Sequence, residues 1–186
     1  MTTDEDRAFA DDLAQRIYNF NMDLDPRSVE NHFAQDFSYV ESMRRGLLGE
    51  CAFSDMFGMA VDCELRAGGD GGRDFFLNLE TQQGRQRFKV DVKTKSVRFS
   101  WEGLRRSGTH LRVPVKQCRP LTIYVFAIYR EPTDDAEVLR WAFGQTMMKD
   151  GEVRTFERGN EEPCFAYDYE RCRELGELME RRADAA

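Results

Sequence analysis

The strongest restriction on the fold of this chain is the uncharged run Leu121-Thr-Ile-Tyr-Val-Phe-Ala-Ile-Tyr129. It is rich in the β-branched and aromatic residues that favour strands, and it lacks the polar alternation of a strand with one solvated face. Such a composition is typical of a strand at the centre of a sheet that is covered on both faces. The run therefore predicts a layered fold with this strand buried in the middle.

The residues before this run space their apolar side chains as helices do. Phe9, Leu13 and Ile17 recur every four residues, which suits an amphipathic helix. Ser28 is a suitable N-cap for a second helical stretch. Helices are therefore predicted over residues 1–20, 28–37 and 39–60, with a break at 21–26.

Beyond a glycine-rich turn at Gly68–Gly72, the apolar period changes from helical to two, the period of strands. Segments 74–80 and 88–95 flank a turn at 81–84 and predict a β-hairpin. The later predicted elements are a strand at 138–143, edge strands at 152–158 and 164–169, and a charged helix at 170–183. Helices, then strands, then a helix predict an α/β or α+β sandwich.

Composition excludes several classes of protein. The chain has 186 residues, of which 41% are hydrophobic, and this suits one globular domain with a substantial core. No apolar run approaches the ~20 residues that span a bilayer, and the acidic N-terminus lacks the apolar region of a signal peptide. The five cysteines are odd in number and include no CxxC pair. We therefore expect reduced thiols in a cytoplasmic protein that does not associate with membranes.

Charge is distributed unevenly along the chain. The formal net charge is −7, yet segment 84–119 holds eleven Lys and Arg against two acidic residues. A concentrated basic segment is what a surface that binds a polyanion needs, although a solvated charged face is the alternative. The candidate contacts to nucleic-acid phosphates are Lys95, Arg98, Arg105, Arg106, Arg112 and Lys116.

Four charged residues are predicted to meet at one end of the hairpin. Alternation along 88–95 places Asp91 and Lys93 on the same face of a strand, opposite Val90 and Val92. Asp74 opens the preceding strand, so pairing of the two strands brings it towards Asp91. Glu50 shares a helix face with apolar residues and is expected to face the sheet.

Three carboxylates and a lysine suit a hard divalent cation, above all Mg²⁺. Each residue also has an ordinary structural interpretation. Asp74 can stabilise the glycine turn, Asp91 and Lys93 can be solvent-facing residues of a strand, and Glu50 can be a surface helix residue. The order and spacing of all four favour a shared site.

The motifs Gly69-Asp-Gly-Gly-Arg-Asp74 and Val90-Asp-Val-Lys93, with Gly49-Glu50 upstream, resemble those of the PD-(D/E)XK nuclease superfamily. The resemblance covers about residues 40–147. Arg73 replaces the proline that names the motif, at a position that varies in the superfamily. The resemblance implies an α/β fold with a restriction-endonuclease-like core over 39–186, in which helices flank a mixed central β-sheet. Residues 1–38 are then an acidic helical extension that packs on this core or mediates self-association.

The resemblance also implies a function. It implies an endonuclease that hydrolyses DNA phosphodiester bonds with Mg²⁺, for which Mn²⁺ substitutes, with RNA left open as a substrate and a homodimer as the common form. By this resemblance Asp74 and Asp91 are metal ligands, Glu50 is an accessory ligand or base, and Lys93 is the catalytic lysine. The alternative is an inactive nuclease-fold protein that regulates by binding nucleic acid or protein, of phage or mobile-element origin.

Overall fold

The structure is a computed structural model that describes residues 2–26, 39–66, 74–97, 109–156 and 160–182. The predicted helix at 28–37, the glycine turn at 68–72, and Arg98, Arg105 and Arg106 lie outside these residues. The helices are α1 (Asp4–Leu24), α2 (Tyr39–Phe57), α3 (Gly144–Asp150) and α4 (Leu175–Glu180). The strands are β1 (Phe75–Thr81), β2 (Gly84–Val97), β3 (His110–Pro114), β4 (Thr122–Arg130), β5 (Asp135–Phe143), β6 (Glu152–Phe156), β7 (Asn160–Asp168) and β8 (Arg173–Glu174).

A five-stranded mixed sheet forms the centre of the protein, in the order β1-β2-β4-β5-β8. β2 and β4 run parallel, and the other neighbouring pairs are antiparallel. Every residue of β4 from Thr122 to Tyr129 is buried, as the uncharged run predicts. The predicted α/β class, the hairpin of β1 and β2, and the mixed central sheet are confirmed.

Helices α1 and α2 cover one face of this sheet. Leu48 and Phe53 of α2 pack in one buried cluster with Val90 of β2, and Leu13 of α1 belongs to the same cluster. α1 begins with a capping box between Thr3 and Asp6. It continues to Leu24, four residues beyond the predicted end, and stops before Asp25-Pro26, where proline disfavours helical backbone in the preceding residue.

Helices were predicted to flank the sheet, but the opposite face is covered mainly by strands. A second sheet, in the order β3-β7-β6, lies there with the short helix α3. Leu111 and Val113 of β3 pack with Val97 of β2, Phe126 of β4 and Met147 of α3 in a second buried cluster. The central sheet is therefore enclosed by helices on one side and mainly by strands on the other.

Two predicted elements need correction. β7 was expected at an edge, but it lies between β3 and β6 at the centre of the second sheet. The helix predicted at 170–183 is interrupted, because Arg173 and Glu174 pair with β5 and the Trp141 indole N–H donates to the Glu174 carbonyl at 2.9 Å. Only Leu175–Glu180 is α-helical, after a 3₁₀ turn at Tyr169–Arg171.

Two simpler expectations concern membranes and thiols. None of the helices in the described ranges is long and apolar enough to cross a membrane. All five cysteines are free thiols in the structure.

Candidate functional site

The hairpin of β1 and β2 carries the centre of the candidate site. Phe88, Val90 and Val92 of β2 are buried against the helical layer, as their alternation predicts. Asp91 and Lys93 project from the other face of the strand, towards the second sheet. The sequence pattern therefore assigned the two faces of β2 correctly.

Asp74 forms hydrogen bonds with the two residues of β2 that flank Asp91. Its backbone N–H donates to the Val90 carbonyl at 2.9 Å, and its Oδ2 accepts from the Val92 backbone N–H at 2.6 Å. These two backbone groups belong to the residues that flank Asp91. The structure thus brings Asp74 and Asp91 together at the beginning of β1.

Asp91 and Lys93 form a buried ion pair. Lys93 Nζ lies 2.8 Å from Asp91 Oδ1, and the Asp91 side chain is 3% exposed whereas that of Lys93 is 28% exposed. A buried carboxylate needs such a partner, because losing its hydration without one is very costly. The lysine is the more accessible member, so a ligand from solvent reaches the pair on the Lys93 side.

Tyr124 is a neighbour of Asp91 that the sequence did not point to. The two residues are partners in the parallel register of β2 and β4. The Tyr124 hydroxyl accepts from the Arg119 N–H and donates to the Gln117 carbonyl, both at 3.0 Å. Burial raises the pKa of Tyr124, and the negative charge of Asp91 contributes to that increase. No local signal marks Tyr124, because its place beside Asp91 depends on the pairing of distant segments.

Glu50 belongs to the helical layer on the other face of β2. Its neighbours at helical spacing, Leu47, Phe53 and Phe57, are buried as predicted. The preceding Gly49 sits so close to β2 that an added Cβ would lie 2.0 Å from Thr94 Oγ1. The structure therefore places Glu50 in the layer on one face of β2, whereas Asp91 and Lys93 project from its other face.

The described cations of the basic segment lie on β2 and around β3. Lys95 is partly buried and follows Lys93 on the same face of β2. Arg112 is exposed on β3. Lys116 is also exposed, and its Nζ lies 3.2 Å from Glu162 Oε1.

The residues present can be compared with the needs of Mg²⁺. Among the described residues, no group of three or more His, Cys, Asp or Glu side chains is arranged to hold a metal ion. Mg²⁺ is commonly held by one or two carboxylates together with water and substrate phosphates. Asp74 and Asp91, whose backbones are neighbours, supply the one or two carboxylates of that smaller requirement.

No family model matches this chain, and no curated protein or solved structure matches it.

Proposed function

We propose that this protein is a Mg²⁺-dependent deoxyribonuclease of the restriction-endonuclease-like class. The proposal rests on two sets of contacts. Asp74 hydrogen-bonds to Val90 and Val92, the residues on either side of Asp91, and Lys93 Nζ lies 2.8 Å from Asp91 Oδ1. Carboxylates can hold Mg²⁺ for metal-assisted phosphodiester hydrolysis, and a lysine can stabilise the charge that develops on the phosphate. Membership of the PD-(D/E)XK superfamily remains a part of this proposal and rests on the motifs in the sequence.

Each residue has a distinct role in the proposed mechanism. Asp74 and Asp91 would hold Mg²⁺, which supplies Lewis-acid polarisation of the phosphodiester and a bound water of lowered pKa. Lys93 places a positive charge beside the scissile phosphate and stabilises the negative charge that develops on its oxygens. The resemblance alone gives Glu50, which lies in the helical layer on the other face of β2, the role of an accessory ligand or base.

Solvent reaches this site from the lysine side. The Lys93 side chain is 28% exposed and that of Asp91 is 3% exposed, so Lys93 is the more accessible of the two to an incoming phosphate. A phosphate that accepts hydrogen bonds from Lys93 competes for the ammonium group that Asp91 now binds. Substrate binding would therefore loosen the ion pair, and Asp91 Oδ1 would then be available to hold a cation.

The first test is a cleavage assay on supercoiled plasmid, linear duplex, single-stranded DNA and a four-way junction, in Mg²⁺, Mn²⁺ or EDTA. Asp74→Asn and Asp91→Asn remove a charge but keep an acceptor oxygen, so the hydrogen bond from Val92 N–H to residue 74 can persist. Lys93→Gln removes the cation. We expect each variant to lose about a hundredfold or more in cleavage rate, the usual effect of removing one group that stabilises a transition state.

Lys89→Gln is the matched control for these variants. Lys89 lies on the same strand and the same face as Asp91 and Lys93 but is exposed. The Lys89→Gln variant should cleave DNA at the wild-type rate. Equal urea midpoints for all variants show that each of them folds. If the wild-type protein leaves every substrate intact in both Mg²⁺ and Mn²⁺, the proposed nuclease activity is wrong.

The buried ion pair also favours a second candidate function, a nuclease-fold protein that binds nucleic acid without cutting it. A lysine that keeps its carboxylate partner in the presence of DNA prevents that carboxylate from holding a metal. This function predicts salt-sensitive binding of DNA that Mg²⁺ does not turn into cleavage. The same assay, with binding measured alongside cleavage, distinguishes the two functions.

A further inference from the structure

The strand β6 forms one edge of the second sheet. In the order β3-β7-β6 it pairs with β7 on one side, and no strand of the described ranges pairs with its other side. The side chains from Glu152 to Thr155 on this strand are all exposed. An edge of this kind presents backbone N–H and C=O groups with which another strand can pair.

Val153 is an apolar side chain of β6 that the fold leaves largely uncovered. It pairs with Phe165 of β7, and Phe165 pairs with Val113 of β3, so the three side chains point to the same face of the second sheet. Val113 is buried in the cluster between the two sheets, and Phe165 packs against that cluster. Val153, by contrast, is 59% exposed. The apolar face of the second sheet therefore extends beyond the layer that covers it, and a strand paired with β6 would contact Val153.

The two side chains that flank Val153 carry opposite charges. Arg154 Nε donates to Glu152 Oε2 at 2.8 Å, and the two side chains are 44% and 69% exposed. If two copies of β6 pair antiparallel about Val153, Glu152 of each copy lies opposite Arg154 of the other, and the two Val153 side chains meet. Parallel pairing in register would instead place like charges opposite one another, which is unfavourable. The segment Glu-Val-Arg is therefore complementary to itself in the antiparallel orientation.

We propose that the outer edge of β6 is an interface at which two copies of this protein pair with two-fold symmetry. The three-stranded sheets of the two copies then form one continuous sheet, with the two β6 strands at its centre. The ion pair within each strand is exchanged for two ion pairs between strands, and this exchange costs little because exposed ion pairs are weak. One short strand from each copy buries little surface, so we expect a weak dimer that forms at high protein concentration.

This interface does not depend on nuclease activity. The resemblance in the sequence implied a homodimer without assigning a surface to it. The surface proposed here follows from the unpaired edge of β6, the exposed Val153 and the charges on either side of it.

Sedimentation velocity over a range of protein concentrations measures the dimer, and the sedimentation coefficient of the wild type should rise with concentration. Arg154→Glu places glutamates opposite one another at two positions of the dimer, and Glu152→Arg does the same with arginines. We expect each variant to weaken dimerisation about tenfold or more, because both ion pairs are lost and repulsion replaces them.

A mixture of the two variants tests the register of the pairing. A copy with glutamate at both positions complements a copy with arginine at both positions. Each variant alone should therefore be largely monomeric, whereas the equimolar mixture should form a heterodimer. The double variant Glu152→Arg with Arg154→Glu exchanges the two charges and should dimerise as the wild type does.

Arg16→Glu is the matched control for these variants. It makes the same change of charge as Arg154→Glu on an exposed side chain of α1, outside β6, and should dimerise as the wild type does. Urea unfolding of every variant shows that each of them folds. If Arg154→Glu does not fold, Glu152→Arg tests the same contact from its other side.

The possible outcomes decide the proposal without reference to DNA. A wild type that stays monomeric at every concentration would overturn the interface and leave the edge of β6 to a strand of another protein. Single variants that dimerise as the wild type does, or a mixture that stays monomeric, would overturn it as well. A wild-type dimer that the single variants lose and their mixture restores supports the interface even if the protein cleaves no DNA.

Discussion

At the scale of single residues, Asp134 is a carboxylate outside the candidate site that contacts several elements of the fold. It lies in the turn between β4 and β5 with a positive φ of 49°, a conformation that aspartate tolerates better than most residues. Arg44 of α2 donates to both of its carboxylate oxygens at 2.6 Å, and the Tyr129 hydroxyl donates to Oδ1 at 2.7 Å. Arg7 of α1 donates to its backbone carbonyl at 2.8 Å. This turn therefore joins both helices to the sheet.

These contacts make a prediction about pH. The hydrogen bonds from Arg44, the largest cause, lower the pKa of Asp134 to about 2 from an ordinary value near 3.8. A carboxyl group whose folded pKa is lowered stabilises the fold above its ordinary pKa and loses that effect as pH falls through the folded value. We expect Asp134→Asn to lower the free energy of unfolding by about 1 kcal/mol at pH 7. This is less than the full linkage value, because water screens a side chain that is 41% exposed.

Urea unfolding of both proteins between pH 7 and about pH 2 provides the measurement. The difference between wild type and Asp134→Asn should shrink as the pH falls from about 4 towards about 2. Asn also tolerates the positive φ of this turn, so the comparison isolates the charge. A difference that stays constant across this range would contradict the assigned role of the Arg44 pair.

At the scale of elements, the contact of α2 with β2 depends on a glycine. A Cβ at Gly49 would lie 2.0 Å from Thr94 Oγ1 and 3.3 Å from the Ala127 Cβ. At Gly46, one turn earlier in the same helix, an added Cβ would meet nothing within 4 Å. Both positions are helical glycines, so alanine has the same intrinsic effect on the helix at each. They differ in the space available for a side chain, because Gly49 lies against the sheet and Gly46 does not.

This contrast predicts opposite effects of the same substitution. Gly46→Ala should raise the free energy of unfolding by up to about 1 kcal/mol, since alanine is the better helix former. Gly49→Ala should lower it by about 1–3 kcal/mol, the usual cost of an overpacked core. Urea unfolding measures both changes. Stabilisation by Gly49→Ala would show that α2 does not approach Thr94 as closely as the structure has it.

Gly49 also matters for the candidate site. It immediately precedes Glu50, so the close approach also constrains the backbone that carries that carboxylate. A Gly49→Ala protein that still folds should cleave more slowly than its stability alone accounts for, if Glu50 acts as proposed. The sequence placed Glu50 on an apolar helix face correctly, but the close approach to Thr94 arises only when the helix docks.

At the scale of the whole molecule, α1 is a part of the main core. Leu13 is 1% exposed and packs in the same buried cluster as α2 and the central sheet. Thr2, just before the helix, donates from its backbone N–H to Asp135 Oδ1 at 2.8 Å. The acidic N-terminal segment is therefore anchored at its start by a hydrogen bond and along its length by apolar contacts.

The burial of Leu13 predicts a large loss of stability when its side chain is shortened to that of alanine. Leu13→Ala should lower the free energy of unfolding by about 2–5 kcal/mol, the range for a leucine deleted from a packed core. Gln15→Ala, at an exposed position of the same helix, should change it by less than about 0.5 kcal/mol. Urea or thermal unfolding checks both values, and a silent Leu13→Ala would mean that α1 is not packed on the core.

Local patterns predicted much of the fold and part of the site. Alternation along β2 placed Asp91 and Lys93 on one face because the side-chain period of a strand is fixed by its backbone. The short turn fixed the pairing of β1 with β2 and so brought Asp74 to Asp91. The interruption at Arg173 and Glu174 was missed, because helical propensity is a weak preference that pairing with a distant strand overrides.

The sequence by itself determined the buried central strand, the hairpin, the faces of β2 and the amphipathic character of α1 and α2. These features follow from backbone periods and from neighbours a few residues apart. Only the tertiary structure decided that β2 runs parallel to β4, which puts Tyr124 beside Asp91, and that a second sheet covers the face from which Lys93 and Lys95 project. Such contacts join segments far apart in the chain, and their choice depends on how whole layers bury their apolar surfaces together rather than on any local pattern.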